Sequence, residues 1–258
     1  MTKKYSHLFL PIWVAATYVF LYLPLAVLLV FSFNAQKFPY RWVGFSLQWY
    51  QELFSSSVLW QAVWNSCLVA LSAVGLSLTI GLLCVMWGAQ RASKHFVVFF
   101  YPNLIVPEIV LAVGLLSFFI FFQIPLGLHT LIVGHTLLGL GYTVPILYSR
   151  FSTFDPRLIE ASLDLGATTT QTFFRIVLPI MSPSLLAAGL LVFILSFDDF
   201  LIAFFCGGTD AQTLSLYIFA MLRTGVSPEI NALAMFMILI SALLVMTFCS
   251  LQVKERIW

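Results

Sequence analysis

The sequence predicts an all-α membrane protein with six transmembrane helices, and three observations support that fold class. Of the 258 residues, 61% are hydrophobic and only 9% are charged, and the mean hydropathy is +1.02. Soluble domains carry about 25% charged residues. Six apolar stretches reach the roughly 20 residues that a helix needs to cross a bilayer, and we predict one transmembrane domain over residues 1–258. The spans lie near 8–33, 63–88, 97–121, 128–148, 183–205 and 230–252.

The distribution of lysine and arginine predicts the orientation of these spans, because basic residues are retained on the cytoplasmic side. Nine basic residues fall in one set of tails and loops and three in the other, so both termini are expected in the cytoplasm. The first span is interpreted as an uncleaved signal anchor, because its apolar run is too long for a signal peptide. The nine are Lys3, Lys4, Arg91, Lys94, Arg150, Arg157, Arg175, Lys254 and Arg256, and the three are Lys37, Arg41 and Arg223.

Two adjacent acids, Asp198 and Asp199, interrupt the apolar run of the predicted fifth span. At the centre of a membrane helix each aspartate costs about 2.5–3.5 kcal/mol, so a compensating role is expected. A third acid, Glu108, lies in the predicted third span. The rise of a helix along both spans allows these carboxylates to fall in neighbouring layers of one cavity. Such an arrangement would suit a cargo that carries several ammonium groups.

Other roles for these acids remain open from the sequence. In a continuous helix Asp198 and Asp199 would lie about 100° apart, so one of them could pair with a neighbouring span or with the backbone. Glu108 could instead stabilise a helix end, and Glu229 is as well explained as a helix cap. Intramembrane acids also serve as proton relays, so a proton-coupled secondary transporter is the alternative from another class.

The sequence contains no motif for catalysis, metal binding or nucleotide binding. No glycine is followed by lysine, so a phosphate-binding loop is absent and any driving ATP must bind another chain. The four cysteines and four histidines show no ligand spacing, and the histidines are interpreted as interface or packing residues. We therefore predict no catalytic residue, no metal and no cofactor on this chain, and no nucleic-acid partner.

The longest predicted cytoplasmic segment, residues 150–182, is predicted to form two short helices. Asp155 precedes a proline and is a good N-cap, while Gly166 is expected to end the first helix. The run "TTTQ" that begins at Thr168 matches a capping box and predicts a second helix, which Leu178–Pro179 is expected to end. Local chemistry alone fits either a docking element or a loop that rests on lipid headgroups.

The stretch "EASLDLGATTTQTFFRIVLP" resembles the EAA loop of the membrane subunits of ABC importers. Glu160, Ala161 and Gly166 match the pattern, and the closing "IVLP" completes it; only Ser162 departs, where the family has alanine. The resemblance implies that the segment is a coupling helix that docks on a separate ATP-binding subunit. The residues expected to serve this coupling are Glu160, Ala161, Ser162, Gly166, Thr168, Phe173 and Phe174.

Four further stretches, "SFDDFLIAFFCGG", "MLRTGVSPEINALA", "VPEIVLAVGLL" and "FSLQWYQELF", are similar to the spermidine/putrescine permease subunits of such importers. This resemblance implies import of a polyamine by alternating access, with Asp198, Asp199 and Glu108 along the substrate pathway. It also implies a homologous second permease, two ATP-binding subunits that hold ATP and Mg²⁺, and an external polyamine-binding protein. The expected location is the bacterial inner membrane, in contact with lipid. An ABC permease for a different small substrate is the alternative within the same class.

Overall fold

The structure is a computed structural model that describes residues 6–36, 41–90, 94–225 and 228–255. Within these ranges the regular structure is helical apart from one isolated antiparallel bridge, so the predicted all-α class is confirmed. A 3₁₀ segment, Lys94–Phe100, and a π-helical segment, Phe173–Val177, join some of the helices. The helices are α1 Ser6–Ser32, α2 Gln48–Ser55, α3 Ser57–Gln90, α4 Pro102–Ile105, α5 Glu108–Phe121, α6 Leu128–Ser152, α7 Arg157–Asp164, α8 Thr169–Thr172, α9 Leu178–Asp198, α10 Leu201–Cys206, α11 Leu214–Thr224 and α12 Pro228–Glu255.

The helices make this a multi-pass membrane protein. A fifth candidate span is a bent pair, Val97–Ile105 with Glu108–Phe121, and Pro228–Leu239 is a shorter apolar helical segment. The count of six spans and the orientation stay predictions. Five of the basic residues used to predict the orientation lie outside the described residues: Lys3, Lys4, Lys37, Arg91 and Arg256. Four helices are long and apolar enough to cross a bilayer: Pro11–Ser32, Ser57–Gly88, Leu128–Ser152 and Thr169–Asp198.

The predicted third span is broken rather than continuous. Helix α4 ends before Val106, whose ψ of 130° is extended, and α5 begins at Glu108, so the two parts of the span bend by 110°. Pro107 accounts for the break, because proline disfavours the helical conformation in the residue before it. Glu108 therefore begins a helix instead of lying within one.

The predicted fifth span also differs from a single helix, at both of its ends. Helix α9 ends at Asp198, Asp199 is extended with ψ 130°, and α10 starts anew two residues later. The angle of 100° expected between the two aspartates therefore does not apply. At the other end, the helical structure does not end at Leu178–Pro179 as expected. It continues from α8 through the π-helical segment into α9, where proline is tolerated in the first turn.

The described chain divides into two compact units, which we describe separately. The first comprises the described residues of 1–57 and 218–258. Within it α12 packs against α1 and α2. The fully buried Asn34 organises the segment before α2, because its side chain donates to the carbonyl of Arg41 at 2.9 Å and accepts from the N–H of Val43 at 3.0 Å. The indole of Trp49 in α2 donates to the carbonyl of Asn34 at 2.7 Å.

The second unit, residues 58–217, is built around α6. This helix packs on α9, on α10 and on the broken third span, and small residues along it allow close helix approach. A Cβ added at Gly139 would lie 2.9 Å from Val192 in α9, and one at Gly134 would lie 2.8 Å from Ile202 in α10. The candidate site described below lies within this second unit.

Gly141 is expected to be the least replaceable of these glycines. A Cβ there would lie 2.4 Å from the Cβ of Asn103 in α4, whose amide donates to the carbonyl of Leu137 at 2.9 Å. We expect Gly141→Ala to destabilise the protein by about 1–3 kcal/mol, because α4 must move away from α6. Thermal unfolding of the purified protein in detergent measures this. The control is Gly114→Ala in α5, where nothing lies within 4 Å of the added Cβ. Equal unfolding temperatures for both variants would contradict the close packing of α4 on α6.

Candidate functional site

A cavity of about 440 Å³ lies in the second unit where the broken third span meets the break between α9 and α10. All three acids that the sequence suggested for a substrate pathway line it. Apolar side chains from α4, α5, α6 and α9 form much of the remaining wall. The polar and aromatic lining residues are Asn103, Glu108, Tyr142, Asp198, Asp199 and Phe200.

Glu108 reaches the cavity from the first turn of α5, and its side chain is exposed. The helix break at Pro107 places this carboxylate at a helix N-terminus, where the partial positive charge of the helix favours an acid. Glu108 therefore lies both at a helix start and on the cavity, and its role stays a prediction. The two interpretations are compatible, because one residue occupies both places.

Asp198 and Asp199 differ in environment although they are adjacent. Asp198 is exposed, whereas Asp199 is only 6% exposed. The carboxylate of Asp199 accepts hydrogen bonds from the backbone N–H of Ala203 at 3.0 Å and of Ile202 at 3.4 Å, and so caps α10. The backbone carbonyl of Asp199 also accepts a hydrogen bond from the hydroxyl of Ser215. Asp199 is thus held in the cavity wall, and Asp198 is the freer carboxylate.

These contacts explain how acids are accommodated in such an apolar sequence. Asp199 satisfies backbone donors that the break before α10 leaves unpaired. Asp198 and Glu108 line an open cavity instead of lying in a packed core. Glu108 and Asp199 line this same cavity. Two carboxylates that share a site repel each other, so this pair favours a bound cation.

A buried histidine, His135, lies behind this site and was not identified from the sequence as part of it. His135 in α6 hydrogen-bonds through Nδ1 to the hydroxyl of Ser196 in α9 at 2.7 Å, and its Nε2 lies 3.5 Å from Oδ2 of Asp199. Its partners are 61 and 64 positions away along the chain, so no local spacing connects them. The prediction of a packing histidine does not describe these polar contacts. Asn103 and Tyr142 on the cavity were likewise not identified from the sequence.

The predicted coupling loop, residues 150–182, folds locally as its capping residues indicate. The carboxylate of Asp155 accepts from the N–H of Arg157 at 3.0 Å as α7 begins. Gly166, with φ +85°, follows α7 in the left-handed conformation that favours glycine. Thr168 and Gln171 form the expected reciprocal capping box at the start of α8. These contacts define a helix, a sharp turn and a second helix.

Ser162, the residue that departs from the family pattern, joins the two helices of this loop. It is buried, and its hydroxyl shares a hydrogen bond of 2.9 Å with that of Thr172. Phe173 is half-buried against the core next to α6 and α9, so it anchors the loop and does not contribute an open face. The other predicted coupling residues are exposed: Glu160, Ala161, Gly166, Thr168 and Phe174.

We expect Ser162→Leu to destabilise the protein by about 1–3 kcal/mol, because a larger side chain at this buried position must push α7 away from α8. Ser162→Ala removes only one hydrogen bond, worth about 1 kcal/mol. The matched control is Ala161→Leu at the exposed neighbouring position, which should leave stability unchanged. Thermal unfolding of the three variants measures the difference. The contact would be of no consequence if Ser162→Leu unfolded at the same temperature as Ala161→Leu.

The site contains no arrangement suited to a metal ion. Among the described residues, no group of three or more histidine, cysteine, aspartate or glutamate side chains is placed to hold one.

Comparison with known proteins gives several extended matches. The chain is 36% identical over 235 residues to the spermidine/putrescine transport system permease protein PotC of Haemophilus influenzae. The alignment covers 88% of this chain and 90% of that protein. It is 35% identical over 233 residues to PotC of Escherichia coli K12, with 89% and 88% covered. It is 34% identical over 227 residues to the putrescine transport system permease protein PotI of the same organism, with 84% and 81% covered. No protein-family model matches.

Solved structures with the same fold are membrane chains of ABC transporters. A chain of a bacterial ABC transporter involved in the import of the acidic polysaccharide alginate aligns with a TM-score of 0.72 at 12% identity, covering 96% of this chain and 98% of that one. A chain of the MetNI methionine ABC transporter in an inward-facing conformation aligns with a TM-score of 0.57 at 18% identity, covering 78% and 96%. At these identities the likeness concerns the fold.

Proposed function

Because the chain belongs to the family of spermidine/putrescine transport system permease proteins, we propose that a polyamine crosses the membrane through this subunit of an ATP-driven importer. The observation that carries the choice of cargo is the cavity lined by Glu108, Asp198 and Asp199. A carboxylate accepts charge-assisted hydrogen bonds from an ammonium group. The cargo in this proposal is spermidine or putrescine.

The rest of the cavity wall suits the remainder of such a cargo. A polyamine alternates ammonium groups with short methylene chains, so it requires apolar surface between its anionic partners. Leu104, Leu111, Leu138 and Ile194 provide that surface. The ring of Tyr142 adds an aromatic face to the lining, and such faces attract cations. The lining thus combines the two kinds of surface that a flexible polycation requires.

The energy for transport comes from other chains in this proposal. We assign ATP and Mg²⁺ to two ATP-binding subunits, and the loop that contains Glu160, Ser162 and Phe174 to their docking site. Closure of those subunits would move the membrane helices as rigid bodies and alternate the access of the cavity. A homologous second permease and an external polyamine-binding protein complete the complex. The exposed Leu163, Leu165 and Phe174 supply apolar surface for docking.

The proposed location is the bacterial inner membrane, with both termini in the cytoplasm. The excess of basic residues on one side of the spans supports that orientation. It places the loop that contains Gly166 on the side where ATP is available. The proposed docking role and the orientation therefore support each other.

The experiment that tests this function is uptake by the purified complex in lipid vesicles that contain ATP. We expect labelled spermidine or putrescine to accumulate only with ATP, the ATP-binding subunits and the binding protein. Labelled methionine serves as the control cargo of similar size. An uncoupler that collapses the proton gradient should leave uptake unchanged, which separates this proposal from a proton-coupled transporter. Uptake of neither polyamine by an assembled complex that hydrolyses ATP would contradict the proposed cargo.

A further inference from the structure

A buried polar bridge connects α6, α9 and the break before α10. His135 is only 1% exposed and lies between two polar partners, Ser196 in α9 and Asp199 at the break. Its Nδ1 is 2.7 Å from the hydroxyl oxygen of Ser196, and its Nε2 is 3.5 Å from Oδ2 of Asp199. No described residue hydrogen-bonds to Nε2 at ordinary length. The packing of α6 therefore brings one ring nitrogen toward a carboxylate that lines the cavity.

The chemistry of these groups determines which of them donates each hydrogen bond. A carboxylate oxygen only accepts hydrogen bonds, so the ring nitrogen that faces Asp199 acts as the donor. In a neutral ring Nδ1 is then the acceptor, and the Ser196 hydroxyl donates to it. The distance from Nε2 to Asp199 is about 0.5 Å longer than a usual N–H···O hydrogen bond, so a small movement of either group completes the contact.

Asp199 needs such a restraint because two influences act on its carboxylate in opposite directions. The N–H groups of Ile202 and Ala203 hold it against the start of α10. Glu108 lines the same cavity, and the cavity itself offers space into which the Asp199 side chain could turn. A hydrogen-bond donor on α6, the His135 ring, favours the position of the Asp199 carboxylate against α10, because it attracts that carboxylate from the side away from the cavity.

We propose that His135 is a positioning residue that holds the Asp199 carboxylate against α10. Asp198 and Glu108 are then the carboxylates left free to meet the ammonium groups of the cargo. This inference rests on the proposed function for its transport consequence, although the restraint on Asp199 exists without cargo. His135 acts through Asp199 and does not itself touch the cargo.

The first test requires no cargo. Amide hydrogen exchange at Ile202 and Ala203 is measured in the complete complex in detergent, in the wild type and in His135→Leu. We expect exchange at both amides to become about tenfold faster in His135→Leu, because the acceptor that protects them is no longer held in place. His135→Gln, whose amide can accept from Ser196 and donate to Asp199, should retain most of the protection. The matched control is His129→Leu, which changes the exposed histidine of the same helix.

The second test is a double-mutant comparison of uptake in vesicles. His135→Leu is combined with Asp199→Asn and, separately, with Asp198→Asn. If His135 acts through Asp199, the substitution His135→Leu should reduce uptake several-fold in the wild-type and Asp198→Asn backgrounds. In the Asp199→Asn background it should reduce uptake less than twofold. A purely structural role would reduce uptake equally in all three. If His135→Leu does not assemble, His135→Asn takes its place, because its shorter amide is expected to lose one of the two contacts.

The outcomes separate this inference from the proposed function. Unchanged exchange at Ile202 and Ala203 in His135→Leu would overturn the inference, as would equal effects of that substitution in all three uptake backgrounds. Faster exchange with rescue by His135→Gln supports it, even if the wild-type complex transports no polyamine. In that last case the proposed cargo fails while the restraint on Asp199 stands.

Discussion

Asp198→Asn is expected to lower ATP-driven polyamine uptake at least about tenfold. Asp198 is the exposed member of the aspartate pair and lines the cavity with Glu108. The substitution removes a charge while preserving the size of the side chain, so the cargo's ammonium group loses its charge-assisted partner. Hydrogen bonds to charged groups contribute about 1.5–3 kcal/mol, which corresponds to a factor of at least ten. Initial rates of uptake in vesicles measure the effect.

Two further variants make this result specific to the cavity. Asp198→Glu keeps the charge on a side chain one methylene longer and should retain more uptake than Asp198→Asn. Asp210→Asn removes an exposed carboxylate that does not line the cavity, and it should leave uptake within about twofold of the wild type. ATP hydrolysis by the partner subunits should persist in all three variants. Equal uptake by Asp198→Asn and Asp210→Asn would show that the charge of Asp198 is not used in transport.

Gly166→Val is expected to abolish most polyamine uptake while ATP hydrolysis continues. Gly166 has φ +85°, and a left-handed conformation costs an ordinary residue roughly 1–2 kcal/mol and a β-branched residue more. A Cβ at this position would meet nothing within 4 Å, so the effect is conformational rather than a steric clash. The turn between α7 and α8 must then change, which displaces the proposed docking surface. Uptake per ATP hydrolysed measures the loss.

Asparagine provides the matched control at the same position, because it tolerates the left-handed conformation better than other non-glycine residues. Gly166→Asn should therefore retain much of the uptake that Gly166→Val loses. Thermal unfolding of both complexes shows whether either loss comes from failed assembly. Full uptake by Gly166→Val would mean that this turn has no part in coupling ATP hydrolysis to transport.

The features that the sequence predicted correctly depend on local chemistry. The all-α class follows from composition and from long apolar runs, since the backbone in lipid must satisfy its own hydrogen bonds. The caps of the loop from Asp155 to Gln171 were predictable because each involves residues two or three positions apart. The turn at Gly166 follows from the left-handed conformation that glycine alone adopts freely.

The features that the sequence did not reveal depend on breaks and on distant contacts. Apart from Asp198 and Ser196 the residues around Asp199 are apolar, so hydropathy gives no sign that the helix stops there and starts again. Pro107 does mark a break in the helix, yet the bend of 110° depends on how α4 packs against α6. Continuation through Pro179 depends on a π-helical segment, for which the sequence gives no local signal. The link between His135 and Asp199 appears only once α6 and α9 are packed.

The most direct test of the central claim is a structure of the complete complex trapped with ATP and spermidine, with hydrolysis prevented in the partner subunits. The claim is that the cavity between the two helix breaks is where the cargo passes. It predicts an ammonium nitrogen within about 3 Å of a carboxylate oxygen of Asp198 or Glu108, the usual length of such charge-assisted contacts. Spermidine enclosed within the membrane but in contact with neither carboxylate would contradict it.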